Sequence, residues 1–213
     1  MAGGGFAVVF QPSATSLLSQ LITYDNAGNV VLPATTIWTR TVTSDVQYHR
    51  MAQLSNGSLV VTVGGVGLFH GIVTTAGASV LPFTSIDTAT TTYAIPELSV
   101  MDGYYSVARG SGTYQKAFVF NNSGVQQGGT FSIANTQYAS TTTRLINDGS
   151  NFFMIWPRVE DSKEVLTKIP VTGTGYITTD ITLAGTSQFN TKIDAFYERG
   201  LIVVVSQNSS AVS

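Results

Sequence analysis

No cysteine occurs in the 213 residues, which removes disulfides, thiolate nucleophiles, thiolate metal ligands and iron–sulfur clusters together. Charge is scarce too: 10% of the residues are Asp, Glu, Lys or Arg, against about 25% in ordinary globular proteins. The ten Lys and Arg are spread along a chain of net charge -2, so there is no basic stripe to neutralise phosphates, and nucleic acid is not an expected partner. Long apolar runs are missing. The longest, such as 152–156 and 201–205, are about a quarter of the roughly 20 residues of a spanning helix, and no membrane insertion is expected. The opening Met1-Ala2-Gly3-Gly4-Gly5-Phe6 has neither a cationic region nor an apolar core, so no secretory signal is expected.

What is present is a hydrophobic fraction of 43%, 21 glycines, and polarity supplied by 29 Thr and 21 Ser in place of charge. That composition belongs to a folded chain with enough apolar surface for one substantial core or several small ones. Internal repetition is visible once the chain is anchored on glycines that precede apolar runs: Gly5, Gly57, Gly103, Gly149 and Gly200, spaced 52, 46, 46 and 51 residues apart. Ser55-Asn56, Met101-Asp102 and Asn147-Asp148 precede three of these glycines. Asn-Gly and Asp-Gly between apolar segments predict type I′ hairpin turns, whose two central residues need positive φ, and Glu198-Arg199-Gly200 is a weaker version. A second glycine follows at Gly28, Gly77, Gly124 and then Gly173 or Gly175. The continuation reads Val31-Leu32-Pro33 in the first unit and Val80-Leu81-Pro82 in the second.

Each unit therefore reads as four short strands: one entering the anchor turn, the apolar run, one approaching the second glycine, and one following it. Units of 5–56, 57–102, 103–148 and 149–199, with a partial fifth at 200–213, make a single repeat-built all-β domain. Residues 159–168 gather charge and read as a hairpin tip or a single turn, since no stretch has helical apolar periodicity. Because the anchor runs are apolar on consecutive residues, both of their faces must be covered, which fits the blades of a β-propeller. Another all-β sandwich or barrel is the alternative. The second strand occurs five times against four complete units, and the open edge this implies predicts an intermolecular or interdomain partner near one terminus.

Chemistry is hard to place. His49 and His70 lie outside any metal-ligand spacing and read as hydrogen-bonded strand residues. There is no Gly-x-Ser-x-Gly elbow, no multi-acid calcium loop and no phosphate-cradling Gly-x-x-x-x-Gly-Lys, and Asp25, Asp102, Asp148 and Glu198 are explained by turn chemistry. No catalytic residue, metal ligand or cofactor is expected. Sugar recognition would use exposed aromatics, for which Trp38, Tyr104, Tyr114, Trp156 and Tyr176 are the candidates; Tyr105 and Trp156 also suit packing between repeats.

The hairpin of Asn/Asp-Gly followed by an apolar strand, with its later glycine turn, resembles the degenerate propeller repeats of bacterial surface proteins and of bacteriophage tail and fibre proteins. It lacks the Trp-Asp ends, double glycines and acidic loops of other propeller families, so no functional residue is carried over. The resemblance implies a non-enzymatic structural or host-attachment component of a virion, in a tail, fibre or capsid decoration. Its partners would be other structural subunits within an oligomer or larger assembly, and a cell-surface glycan. A secreted or cell-surface lectin-like propeller is the alternative, and a glycoside hydrolase a more distant one.

Overall fold

The computed structural model describes residues 4–40, 48–65, 67–88, 95–111, 114–134, 143–158, 163–181 and 190–208. Among them are seventeen strands and no helix, and every pairing with a resolved register is antiparallel. The strands form meanders in chain order. The first sheet holds β1 (Phe6–Phe10), β2 (Leu18–Tyr24) and β3 (Val30–Thr39). The second holds β4 (Tyr48–Gln53), β5 (Leu59–Gly65), β6 (Gly67–Val73) and β7 (Ser79–Asp87). The third holds β8 (Pro96–Met101), β9 (Tyr104–Ser111), β10 (Tyr114–Asn121) and β11 (Gln126–Ala134). The fourth holds β12 (Arg144–Asn147), β13 (Asn151–Arg158), β14 (Lys163–Pro170) and β15 (Ile177–Ile181). A hairpin of β16 (Asn190–Glu198) and β17 (Leu201–Asn208) follows.

Each four-stranded sheet has the composition expected of a repeat. Grouped by sheet, the described residues form three four-stranded sheets, with a three-stranded sheet before them and a two-stranded one after. The sheets are also one strand out of phase with the glycine-to-glycine units, because each later anchor glycine sits inside a hairpin. The apolar runs are buried on successive residues in β5, β9 and β13, as their lack of alternation requires, while the outer strands β3, β7 and β15 are largely exposed. Residues 163–168 belong to β14; 159–162 lie outside the described residues.

The hairpin turns differ from the type I′ expectation. Asn56 keeps negative φ: Gly57 N–H donates to Leu54 O (2.9 Å) and Leu54 N–H to Ser58 O (2.8 Å), a type I turn closed by a left-handed glycine bulge. Asp102 also has negative φ, leaving only Gly103 (φ 77°) left-handed, and in the next hairpin the bend falls on Gly149-Ser150. The turn with two positive φ angles is the weakest candidate, Arg199 (φ 50°) and Gly200 (φ 84°). At the second glycines the turns are alike. Asp25, Thr74 and Asn121, three residues before the glycine, each accept a backbone N–H four residues on, from Asn29, Ala78 and Val125.

The chain falls into two compact units, Met1–Pro96 with Asn122–Gly124, and Glu97–Asn121 with Val125–Ser213. In the first, sheet β1–β3 lies face to face on sheet β4–β7: Ala7, Val9 and Leu21 meet Leu59, Val61 and Val63, with Trp38 stacked on Phe83 (5.2 Å). In the second, Ala108, Ala117 and Val119 of sheet β8–β11 meet Phe152, Met154 and Trp156 of sheet β12–β15. Register makes these two interfaces equivalent. The residue four before the second glycine pairs with Phe6 in the first sheet, Leu59 in the second and Phe152 in the fourth. Counting from those positions, an earlier sheet uses its even places (Ala7, Val9) and a later sheet its odd places (Leu59, Val61, Val63; Phe152, Met154, Trp156). Strand alternation thus gives the earlier sheet of each unit a leading face and the later sheet a trailing face at the interface they share.

Glycines at the second turns let neighbouring sheets approach. Within the first unit a Cβ on Gly77 would lie 3.3 Å from Leu32 Cδ2, and one on Gly124 would collide with Leu81 Cδ2. The matching Val-Leu-Pro triplets therefore place a leucine against the next turn. In the second unit a Cβ on Gly173 would strike the Gln127 carbonyl, and one on Gly128 that of Thr172.

Candidate functional site

The five aromatic candidates do not converge. Trp38 is half-buried on β3, stacked on Phe83 and tilted against Phe69 (4.9 Å), so its ring serves the first unit's core. Trp156 is buried on β13 and donates Nε1–H to Thr167 Oγ1 on β14 (3.1 Å), which satisfies the one polar atom of the ring. Tyr104, at the start of β9, packs on the same core. Tyr105 is buried and stacked on Phe120 (5.1 Å), and burial pushes its hydroxyl well above the usual tyrosine range. Of the five candidates, Tyr114 and Tyr176 are the two with exposed rings. Tyr114 opens β10 with Lys116 Nζ 5.8 Å from its ring centroid, and Tyr176 stands edge-on to buried Phe131 (4.5 Å).

The histidines are strand residues. His49 Nε2 on β4 is 2.9 Å from Ser19 Oγ on β2, which joins the two sheets of the first unit. Ser19 is fully buried, and burial pushes His49 down to about 4, so the pair offers neither an accessible nucleophile nor a base of useful strength. Burial likewise pushes His70, on β6, to about 4. The second unit has a matching link: Thr143 donates to Gln115 Oε1 (2.9 Å), and Gln115 occupies the place of Ser19, nine residues before the second glycine. Beside that link Arg144 pairs with Glu97 of β8 (2.8 Å), and further along β8 Asn147 Nδ2 donates to Ser99 Oγ (2.8 Å) and Val100 O (2.9 Å).

The acids at turns do backbone work. Asp25 accepts from the Asn29 side chain (2.9 Å) and from the amides of Asn29 and Ala27 (2.8 Å each), which hold its carboxyl below the usual range. At Asp148 burial pushes upward but is outweighed by the amides of Asn151 (2.6 Å) and Ser150 (2.8 Å), so that carboxyl too is held low. A carboxylate with its lone pairs taken by its own turn is poorly placed to bind calcium or move a proton. No group of three His, Asp or Glu side chains suited to a metal occurs among the described residues, and no helix there is long and apolar enough to cross a membrane.

Sequence reasoning missed the cross-sheet links and the leucine-to-glycine contacts. The signals were legible: a short polar acceptor three residues before each of the first three second-turn glycines, and the repeated Val-Leu-Pro. Ser19 and His49 carry no comparable signature, because neither residue type nor spacing marks a partner thirty residues away. No protein-family model matches this chain, and no curated protein matches it in sequence.

Proposed function

We propose that this chain is a non-enzymatic structural or host-surface-binding component of a virus particle, part of a tail, fibre or capsid decoration, built on a β-propeller-like succession of blades. The observation that carries the reading is the repeated architecture: antiparallel four-stranded meanders with a buried second strand, stacked in each unit leading face on trailing face, under a surface of Thr, Ser and amides. Propeller blades are four-stranded antiparallel meanders, and sheets of that kind support the reading. A neutral polar surface suits many copies held side by side, since it avoids repulsion between like charges. The turn acids and the Ser19–His49 pair are occupied in holding the fold, which favours a platform over a catalyst.

Antibody raised against the chain tests this by electron microscopy of particles purified from the source. Label at a fixed place on the particle is expected; label confined to particle-free material would overturn it. The exposed rings of Tyr114 and Tyr176 support a second reading, a carbohydrate-binding propeller. Under it, a glycan panel gives binding to the wild-type chain that Tyr176→Ala abolishes at unchanged thermal midpoint.

A further inference from the structure

The chain holds one Asn-Gly pair, Asn56-Gly57, and the β4–β5 turn presents Asn56 to solvent. Asparagine is a chemically labile side chain, and a following glycine has no Cβ to keep its backbone nitrogen away from the side-chain amide carbon. Three further features of this turn favour that attack. Asn56 Nδ2 makes no hydrogen bond among the described residues, so nothing holds the leaving group. Ser58 N–H donates to Asn56 Oδ1 (3.0 Å), the oxygen on which negative charge gathers as the carbon is attacked. A Cβ on Gly57 would meet nothing within 4 Å, so the nucleophile has open space around it. Other asparagines lack these features. Asp25 holds Nδ2 of Asn29 (2.9 Å), Ser55 that of Asn122 (2.9 Å), and Ser99 and Val100 that of Asn147 (2.8 and 2.9 Å), and none of the three precedes glycine.

We infer that Asn56 is a self-modification site, at which the folded chain converts asparagine to aspartate and isoaspartate with water as the co-reactant. Gly57 N–H first leaves its bond to Leu54 O (2.9 Å). The nitrogen then attacks Asn56 Cγ: the N–Cγ bond forms, the Cγ–Nδ2 bond breaks, and ammonia departs with the proton lost from Gly57 N. Nothing is oxidised or reduced. Water opens the resulting succinimide at one of its two carbonyls. Breaking the new N–Cγ bond restores the main chain with an aspartate at 56. Breaking the original peptide bond leaves the main chain running through the side chain, as isoaspartate. Either product adds one negative charge to a chain of net charge -2 and few charged groups. Isoaspartate also lengthens a loop that the Leu54–Ser58 bond (2.8 Å) closes. Ser55 accepts from Asn122 Nδ2, so the β10–β11 turn is tied to the same loop.

The test keeps the folded wild-type chain in mildly alkaline buffer, which speeds loss of the Gly57 amide proton, and samples it over days. Peptide mapping by mass spectrometry, with enzymatic methylation of isoaspartate, locates the products. Product at Asn56 is expected at least tenfold above that at Asn29, Asn122 and Asn147 together, with one ammonia released for each residue converted and a more acidic band on isoelectric focusing. Gly57→Ala should suppress the Asn56 product at least tenfold. Gly103→Ala puts the same kind of strain into open space at the next anchor turn, since Gly103 has φ 77° and Gly57 φ 86°, and should leave the Asn56 product unchanged. Product at Asn56 no more abundant than at the other three asparagines would overturn the inference. So would product that forms in the urea-unfolded chain and not in the folded one, or equal suppression by the two alanine variants.

Discussion

Two glycines two residues apart separate backbone conformation from close approach. Gly173 and Gly175 both have positive φ (67° and 70°), but a Cβ on Gly175 meets nothing within 4 Å, whereas one on Gly173 strikes the Gln127 carbonyl. Gly175→Ala should cost about 1–2 kcal/mol, the strain of an L side chain in the left-handed region. Gly173→Ala should cost at least twice that, because β11 must also move. Urea unfolding of a Trp38→Phe background, in which Trp156 alone reports, measures both; equal losses would contradict the contact. The histidines make a second prediction at this scale. His49 and His70 sit near 4 in the folded chain against an ordinary 6.5, so below 6.5 the unfolded chain takes up protons that the folded chain refuses. The histidine contribution to stability should therefore be constant above about pH 7 and fall by roughly 2–3 kcal/mol per histidine between pH 6.5 and 4. His49→Gln and His70→Gln should each flatten that slope, whatever they do at pH 7. Asp25 and Asp148 act in a separate, lower window, where protonation of their depressed carboxyls removes the turn hydrogen bonds.

Among elements, the hairpins show what local sequence can and cannot determine. A glycine after Asn or Asp located the turns β4–β5 and β8–β9 and the turn β12–β13, and each of these glycines has positive φ. The turn type was not legible, because it depends on how many residues the two strands leave unpaired. Leu54 pairs across to Ser58, making a three-residue loop in which Asn56 needs no left-handed conformation. The β16–β17 turn is the reverse case: Arg199 is forced to φ 50° by a two-residue loop, for which Asn is better suited. Arg199→Asn should stabilise the hairpin by about 0.5–1 kcal/mol, read as a two- to fivefold rise in amide protection along β16 and β17. No change, or a fall, would show that the exposed Arg199–Glu198 pair (3.7 Å) outweighs backbone strain. Strand content and the buried second strands of the four-stranded sheets were legible because consecutive apolar residues call for cover on both faces, as β5, β9 and β13 receive, whereas the like runs in β1 and β17 keep exposed residues. The fate of the aromatics was not. Trp38, Tyr104 and Trp156 turn toward cores and Tyr114 and Tyr176 toward solvent, and only pairing register decides which.

For the whole molecule, the repeat near fifty residues was visible in glycine spacing, and its physical meaning is a sheet with two unlike faces. Larger side chains on the trailing face, such as Phe152, Met154 and Trp156, receive smaller ones on the leading face, such as Ala108 and Ala117. Trp156→Ala should accordingly cost about 3–5 kcal/mol and loosen sheet β8–β11 along with β12–β15. Amide exchange would show this as lost protection on both sheets, and loss on β13 and β14 alone would contradict the shared core. The phase of the sheets was hidden because the most visible marker, the anchor glycine, lies within a hairpin and not between sheets. In the structural role proposed above, function is a property of stacked neutral surfaces, which no local motif marks. The most direct test of that account is the native mass and subunit composition of the species that carries this chain in its source. A large multiprotein particle with the 22.6 kDa chain at fixed copy number is the predicted result. A free single chain of that mass would contradict it.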